Sequence, residues 1–160
     1  KGGTSINSWQ PGGSLLNDAI DRYKAALKYL NDKGYKIRRK FMVWCQGETD
    51  GDKNMPGEEY KEKLKNTIEA MLLSGIEKCF IIRIGNHRDL PTKYSNIIKA
   101  QTEFCNENKD AVLVSTKFEK MAALGLMKDS FHYKQAAYNI VGEEAGANTA
   151  LYINSMGDGS

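Results

Sequence analysis

Phe41-Met42-Val43-Trp44-Cys45-Gln46-Gly47-Glu48-Thr49-Asp50-Gly51 is a run of five apolar residues that stops at an amide, a glycine and two carboxylates. So short an apolar run, bounded by turn residues, predicts a strand buried on both faces, as the strands of parallel sheets are. The polar residues after it then form a loop at the carboxyl end of that strand. In open α/β sheets this is the edge where ligands bind. Residues 46–51 are therefore expected to form one half of a functional site, and Asp129-Ser130-Phe131-His132 the other half.

Working outward, Gly2-Gly3-Thr4-Ser5-Ile6, Trp9 and Pro11-Gly12-Gly13 are too rich in glycine for a regular element. They predict a loop whose backbone comes close to something. From Ser14 onward Leu15, Leu16, Ala19, Ile20, Tyr23, Ala26, Leu27 and Leu30 recur at helical spacing, and Gly34 is the expected stop. Downstream, Pro56 and Glu58-Glu59 suit a first helical turn, and Tyr60, Leu64, Ile68, Met71 and Leu72 make its buried stripe before Gly75. A second strand is expected over 79–84, ending in the polar loop Gly85-Asn86-His87-Arg88. Pro91 and Thr92 open a third helix, and 111–115 is a third strand. One or two helical turns over 117–124, a loop over 125–131 and a last helix over 133–152 complete the chain. Gly142 and Gly146 lie four apart on that helix, a spacing that lets a neighbour approach closely.

Strands alternating with helices long enough to be crossovers imply a parallel sheet covered on both faces. Three strands make a thin sheet for so many helices, and the opening loop and helix lack a strand before them. The 160 residues, 41% apolar and 27% charged, suit one globular domain. The net charge of +3 is spread along the chain except at 36–40, where no aromatic residue is interleaved. That run reads as a solvated helix-to-strand connection and gives no support to nucleic-acid binding. No run of about 18 apolar residues is present for a membrane span. Cys45, Cys79 and Cys105 show neither zinc spacing nor a disulfide framework.

Asp129 and His132 are three apart, so a carboxylate can accept from one ring nitrogen while the other faces a substrate. The competing reading is an Asp that caps the last helix and a His that packs or faces solvent. Gln46 brings an amide donor, and the glycines beside Gly3 bring bare backbone N–H groups, the two kinds of donor an oxyanion hole uses. Each also has a structural explanation. Gln46 ends a strand, Gly47 permits a turn, and Glu48 and Asp50 are solvated loop acids or caps.

Taken together, Gly2-Gly3-Thr4-Ser5-Ile6 with Trp9, then Trp44-Cys45-Gln46-Gly47-Glu48 with Asp50, then Asp129 and His132 resemble the carbohydrate esterase and sialate O-acetylesterase-like branch of the SGNH hydrolases, which includes acetylxylan esterase-related enzymes. The resemblance runs over nearly the whole chain, and its most specific part is Trp44 to Glu48. It implies a three-layer, flavodoxin-like α/β/α fold. It also implies His132 as general base, Asp129 as its orienting acid, Gly3 or Gly2 as backbone oxyanion donor and Gln46 as amide donor. Glu48 would support the loop or the His, and His87 is a candidate substrate contact. The family's nucleophile is a Ser in a block after the first strand, upstream of the glycine block, and that block is not in this sequence. Ser5 falls in the second block, where the family does not place its nucleophile.

Residues 1–152 are thus expected to be the C-terminal portion of one SGNH-type esterase domain, with N-terminal strands missing and the nucleophilic Ser upstream, and 153–160 a tail. The implied substrate is an acetylated carbohydrate, the implied partner is the missing N-terminal segment, and no metal or organic cofactor is called for. A non-catalytic carbohydrate-binding or structural domain of the same fold is the main rival, since fold does not fix function. A nucleotide-binding domain is disfavoured because no glycine-rich phosphate loop follows a strand.

Overall fold

The computed structural model describes residues 1–157. Asp158, Gly159 and Ser160, the end of the expected tail, lie outside the described residues. Strands β1 (Phe41–Trp44), β2 (Lys78–Ile82) and β3 (Ala111–Ser115) form one parallel sheet in the order β1-β2-β3. Phe41 stands opposite Lys78, and Cys79 opposite Ala111. Around the sheet lie α1 (Ser14–Asp32), α2 (Glu48–Asp52), α3 (Gly57–Leu73), α4 (Ser95–Glu107) and α5 (Gln135–Ser155). The fold is the expected α/β/α arrangement.

The helices stop where backbone chemistry allows. Gly34, at φ +79°, lets the Tyr35 N–H reach back to the Leu30 carbonyl at 3.0 Å and ends α1. Gly75 ends α3 in the same way, with the Ile76 N–H on the Met71 carbonyl at 3.2 Å.

Alternation along β2 assigns the layers. Cys79 and Ile81 face Tyr60, Leu64 and Ile68 of α3 and Ile97, Ala100 and Phe104 of α4. Phe80 faces the other way, against Val114 and Ala145 of α5. Burying each such large apolar side chain contributes about 1.5–3 kcal/mol. A separate cluster of Phe118, Met121, Met127, Tyr133, Ala137 and Val141 packs the start of α5 against the connection that precedes it.

Three expectations need correction. β1 is not buried on both faces: Trp44 is 6% exposed but Val43 is 63% exposed. The cause is that the cluster beneath α5 takes in Phe41 at the start of β1 but not Val43, and no strand pairs with the outer edge of β1 among the described residues. The acidic loop after β1 is helical from Glu48, as α2. The glycine-rich N-terminal segment contains a 3-10 turn, Ile6–Trp9, capped by Ser5. Smaller shifts leave β2 ending at Ile82, α4 starting at Ser95 after a turn, and α5 running through Ser155.

Candidate active site

The chain leaves β1 through Cys45 and Gln46 and turns at Gly47, whose φ is +151°. A Cβ there would stand 2.8 Å from Ile97 Cγ2 and 3.1 Å from Gln101 Nε2, so only glycine fits. Gly47 is the N-cap of α2, which puts Glu48 and Asp50 in its first turn, where the helix dipole favours negative charge. Behind the turn, the fully buried Gln101 donates from Nε2 to the Gln46 carbonyl at 2.7 Å and to Tyr60 Oη at 3.0 Å. Tyr60 Oη donates to the same Gln46 carbonyl at 2.9 Å.

Gln46 itself is fully engaged. Its Nε2 donates to the Thr4 carbonyl at 2.9 Å and to Asp50 Oδ2 at 2.5 Å. Asp50 is completely buried; its carboxylate also accepts from Ser5 Oγ at 2.5 Å and from the Ile6 N–H at 3.0 Å. Ser5 is thus a buried cap of the 3-10 turn, with its hydroxyl given to a carboxylate. Trp9 Nε1 donates to Thr4 Oγ1 at 2.9 Å. Gly2 and Gly3 are exposed, Gly3 has φ +66°, and neither N–H has a hydrogen-bond partner among the described residues.

On the far side of the site, Asp129 organises its own loop. Its Oδ1 accepts from the Phe131 and His132 N–H groups at 3.0 and 2.8 Å, and its Oδ2 meets His132 Nδ1 at 2.8 Å. Those two backbone bonds, followed by the His132 side chain, hold the Asp129 carboxyl down to about 2. With Nδ1 held, Nε2 of the exposed His132 ring is left for a partner in the cleft.

Two adjoining cavities at the carboxyl edge of the sheet share Gly2, Gly3, Cys45, Glu48 and Thr49. The first, about 390 Å³, runs beside β1 and is also lined by Gln46, Val43, Met42 and Leu16. The second, about 290 Å³, brings His132 to the glycines, walled by Phe118, Phe131, Tyr133 and Tyr138 and bordered by Asp52. Phe118 and Tyr133 stack at 4.3 Å as a tilted pair, with Tyr138 edge-on to both. Glu48 faces this space; burial raises its carboxyl above the usual range, and His132 pulls the other way. Cys45 is exposed and lines both cavities; the protein packed around it, reinforced by Glu48, raises its thiol above the ordinary value.

The structure thus brings Gly2, Gly3, Gln46, Glu48 and His132 to one edge, as the sequence predicts. It does not bring His87 there. That ring is buried, accepts at Nδ1 from the Asp89 and Leu90 N–H groups at 3.2 and 3.1 Å, and lines neither cavity. It instead stands beside Phe131, with ring centroids 6.5 Å apart. No hydroxyl or thiol is hydrogen-bonded to His132 among the described residues. Nor does any group of three His, Cys, Asp or Glu side chains there have an arrangement suited to a metal. Among the described residues, no helix is long and apolar enough to cross a membrane. Sequence reasoning missed Asp50 and the aromatic wall. The available signals for the wall were Phe131, inside the expected second half of the site, and the tyrosines Tyr133, just before α5, and Tyr138 within it.

Residues 1–150 match the family described as carbohydrate esterase, sialic acid-specific acetylesterase. No curated protein matches the chain.

Proposed function

The chain belongs to the sialic acid-specific acetylesterase family of carbohydrate esterases, and from that premise we propose that it carries the acid–base pair and the oxyanion donors of a serine O-acetylesterase acting on an acetylated sugar. At the level of the family the chemistry is hydrolysis of carbohydrate acetyl esters. The observation that carries the finer reading is the Asp129–His132 pair, held at 2.8 Å, with His132 lining one cavity together with Gly2 and Gly3, whose N–H groups have no partner among the described residues.

The nucleophile comes from outside these 160 residues, just after a strand that pairs with the free edge of β1. Two features support this. β1 pairs with β2 alone among the described residues, and the cavity of about 390 Å³ runs along its open side. His132 Nε2 takes the proton of that Ser as its oxygen attacks the ester carbonyl, and Asp129 stabilises the imidazolium. The Gly3 N–H receives the developing alkoxide. Gln46 shares it by exchanging the bond its Nε2 makes to the Thr4 carbonyl, because a charged acceptor competes well against a neutral one. His132 then protonates the departing sugar oxygen, leaving an acetyl-serine. Water, deprotonated by the same imidazole, attacks this ester and releases acetate and the free Ser.

The test is His132→Ala in protein that includes the upstream segment, assayed on 4-nitrophenyl acetate and on an acetylated oligosaccharide. Loss of about 10²-fold or more in kcat supports the reading, and unchanged activity removes His132 from the chemistry. A non-catalytic sugar-binding domain is the second reading, favoured by the lack of any hydroxyl on His132 among the described residues. A Ser just after the strand beside β1 decides for the enzyme, and another residue there decides for the binder.

A further inference from the structure

Asp50 is a carboxylate with 0% exposure and, among the described residues, no cationic side chain bonded to it. Burying such a group is costly unless its oxygens are fully hydrogen-bonded. Here Oδ1 accepts from Ser5 Oγ at 2.5 Å and the Ile6 N–H at 3.2 Å, and Oδ2 from the same N–H at 3.0 Å and Gln46 Nε2 at 2.5 Å. Its donors come from two stretches about forty residues apart, the glycine-rich segment and the residues just after β1.

We infer that Asp50 is a positioning residue, which fixes the Gln46 amide and the Gly3 backbone relative to each other so that both address one oxyanion. The inference rests on the esterase reading for what the two donors do, but not for how they are held. A carboxylate suits the position because it only accepts, whereas every group facing it donates. By claiming one Nε2 proton, it also fixes which end of the amide is which, since the other proton meets the Thr4 carbonyl and Oε1 lies 3.2 Å from Tyr60 Oη. Ser5 and Ile6, bonded to Asp50 directly, follow Gly3 in the chain, so Asp50 links the two donors even when Gln46 Nε2 exchanges its Thr4 bond for the oxyanion. An Asn at 50 would set its N–H₂ against the Gln46 N–H₂ on one side or against the Ile6 N–H on the other, donor against donor, and the hold on the Gln46 amide would be lost.

The test uses protein that includes the upstream segment, with two readouts. In nitrogen-15 correlated spectra, the wild-type Gln46 side chain should give two widely separated proton signals, the Asp50-bonded one moved downfield, and Asp50→Asn should collapse that separation. In kinetics on 4-nitrophenyl acetate, Asp50→Asn should lower kcat by about 10- to 100-fold with KM within about twofold, because oxyanion donors act in the transition state. A purely structural Asp50 would lower the amount of folded enzyme and leave the kcat of the folded fraction unchanged. If Asp50→Asn does not fold, Ser5→Ala, which removes one donor only, should still lower kcat several-fold at constant KM. Ordinary, unshifted Gln46 signals in the wild type overturn the inference. So does a wild-type kcat in folded Asp50→Asn, or in Ser5→Ala where that variant stands in for it, while His132→Ala is inactive. Activity surviving in His132→Ala overturns the esterase reading instead, and the Gln46 signals then decide alone whether Asp50 holds the amide.

Discussion

Trp9 and Trp44 meet edge to face, their ring centroids 5.5 Å apart and their planes at 89°. One comes from the glycine-rich segment and the other from the last position of β1, so the contact locks the backbone that bears Gly3 onto the strand end that bears Gln46. Aromatic pairs in this geometry contribute beyond the area they bury. Trp9→Ala should destabilise the fold by about 2–4 kcal/mol, read as a lower midpoint in urea at an unchanged slope. A shift under about 0.5 kcal/mol, the range of a neutral surface substitution, would show that this contact is incidental.

Gly47→Ala tests the turn. The added methyl would come within 2.8 Å of Ile97 Cγ2 on a backbone with φ of +151°, so Ile97 or the turn must move. Strain of this kind costs about 1–3 kcal/mol. Because Gln46 precedes the turn, activity should fall by more than the loss of stability explains, and comparing kcat with the urea midpoint in one variant separates the two.

Acid titration distinguishes the two carboxylates that flank His132. Asp129 is held down to about 2 by the Phe131 and His132 N–H groups, so between the usual carboxylate value and about 2 the unfolded chain binds the proton more tightly. The stabilisation it gives is present above the usual value and fades as pH falls toward about 2. A carbon-13 titration of the Asp129 carboxyl should show its midpoint near 2, and a midpoint near 4 would mean that the loop bonds do not persist in solution.

Glu48 has the opposite sign. Burial raises its folded value, so its contribution is complete below the unfolded value and is lost as pH rises through the raised one. Glu48→Gln should therefore raise Tm at pH 7, with the gain vanishing near pH 4. An equal gain at both pH values would trace the effect to packing rather than charge.

Much of this arrangement was legible because its signals are local. Gly34 and Gly75 end their helices, β3 spans the residues expected, and Asp129 reaches His132 within a single turn of chain. What was hidden depends on distant partners. Residues 48–52 carry no apolar periodicity and include a glycine, so nothing marks α2 until Gly47 caps it against Ile97 and Gln101. Asp50 among turn residues reads as solvated, and only the return of Ser5 and Ile6 over it makes it a buried hub. Val43 looks like core, but whether a β residue is covered depends on the layer above it, and the cluster beneath α5 includes Phe41 but not Val43.

That uncovered strand gives the last prediction. Among the described residues no strand pairs with the outer edge of β1, and Val43 is 63% exposed on its open face. Proteins usually blunt such an edge with charge, proline, a bulge or a cover, and residues 41–45 contain neither a charge nor a proline. α1 covers the region only in part, since Leu16 is its single buried residue. An exposed edge with apolar side chains is a template for another strand, whichever chain supplies it. The 160-residue chain expressed alone should therefore be insoluble or associate through β1. Val43→Lys, which puts a charge on the open face, should shift it toward monomer in sedimentation without lowering its unfolding midpoint. A soluble wild-type monomer with a cooperative transition would show that the sheet is stable with β1 at its edge, and that the nucleophile's strand need not dock there.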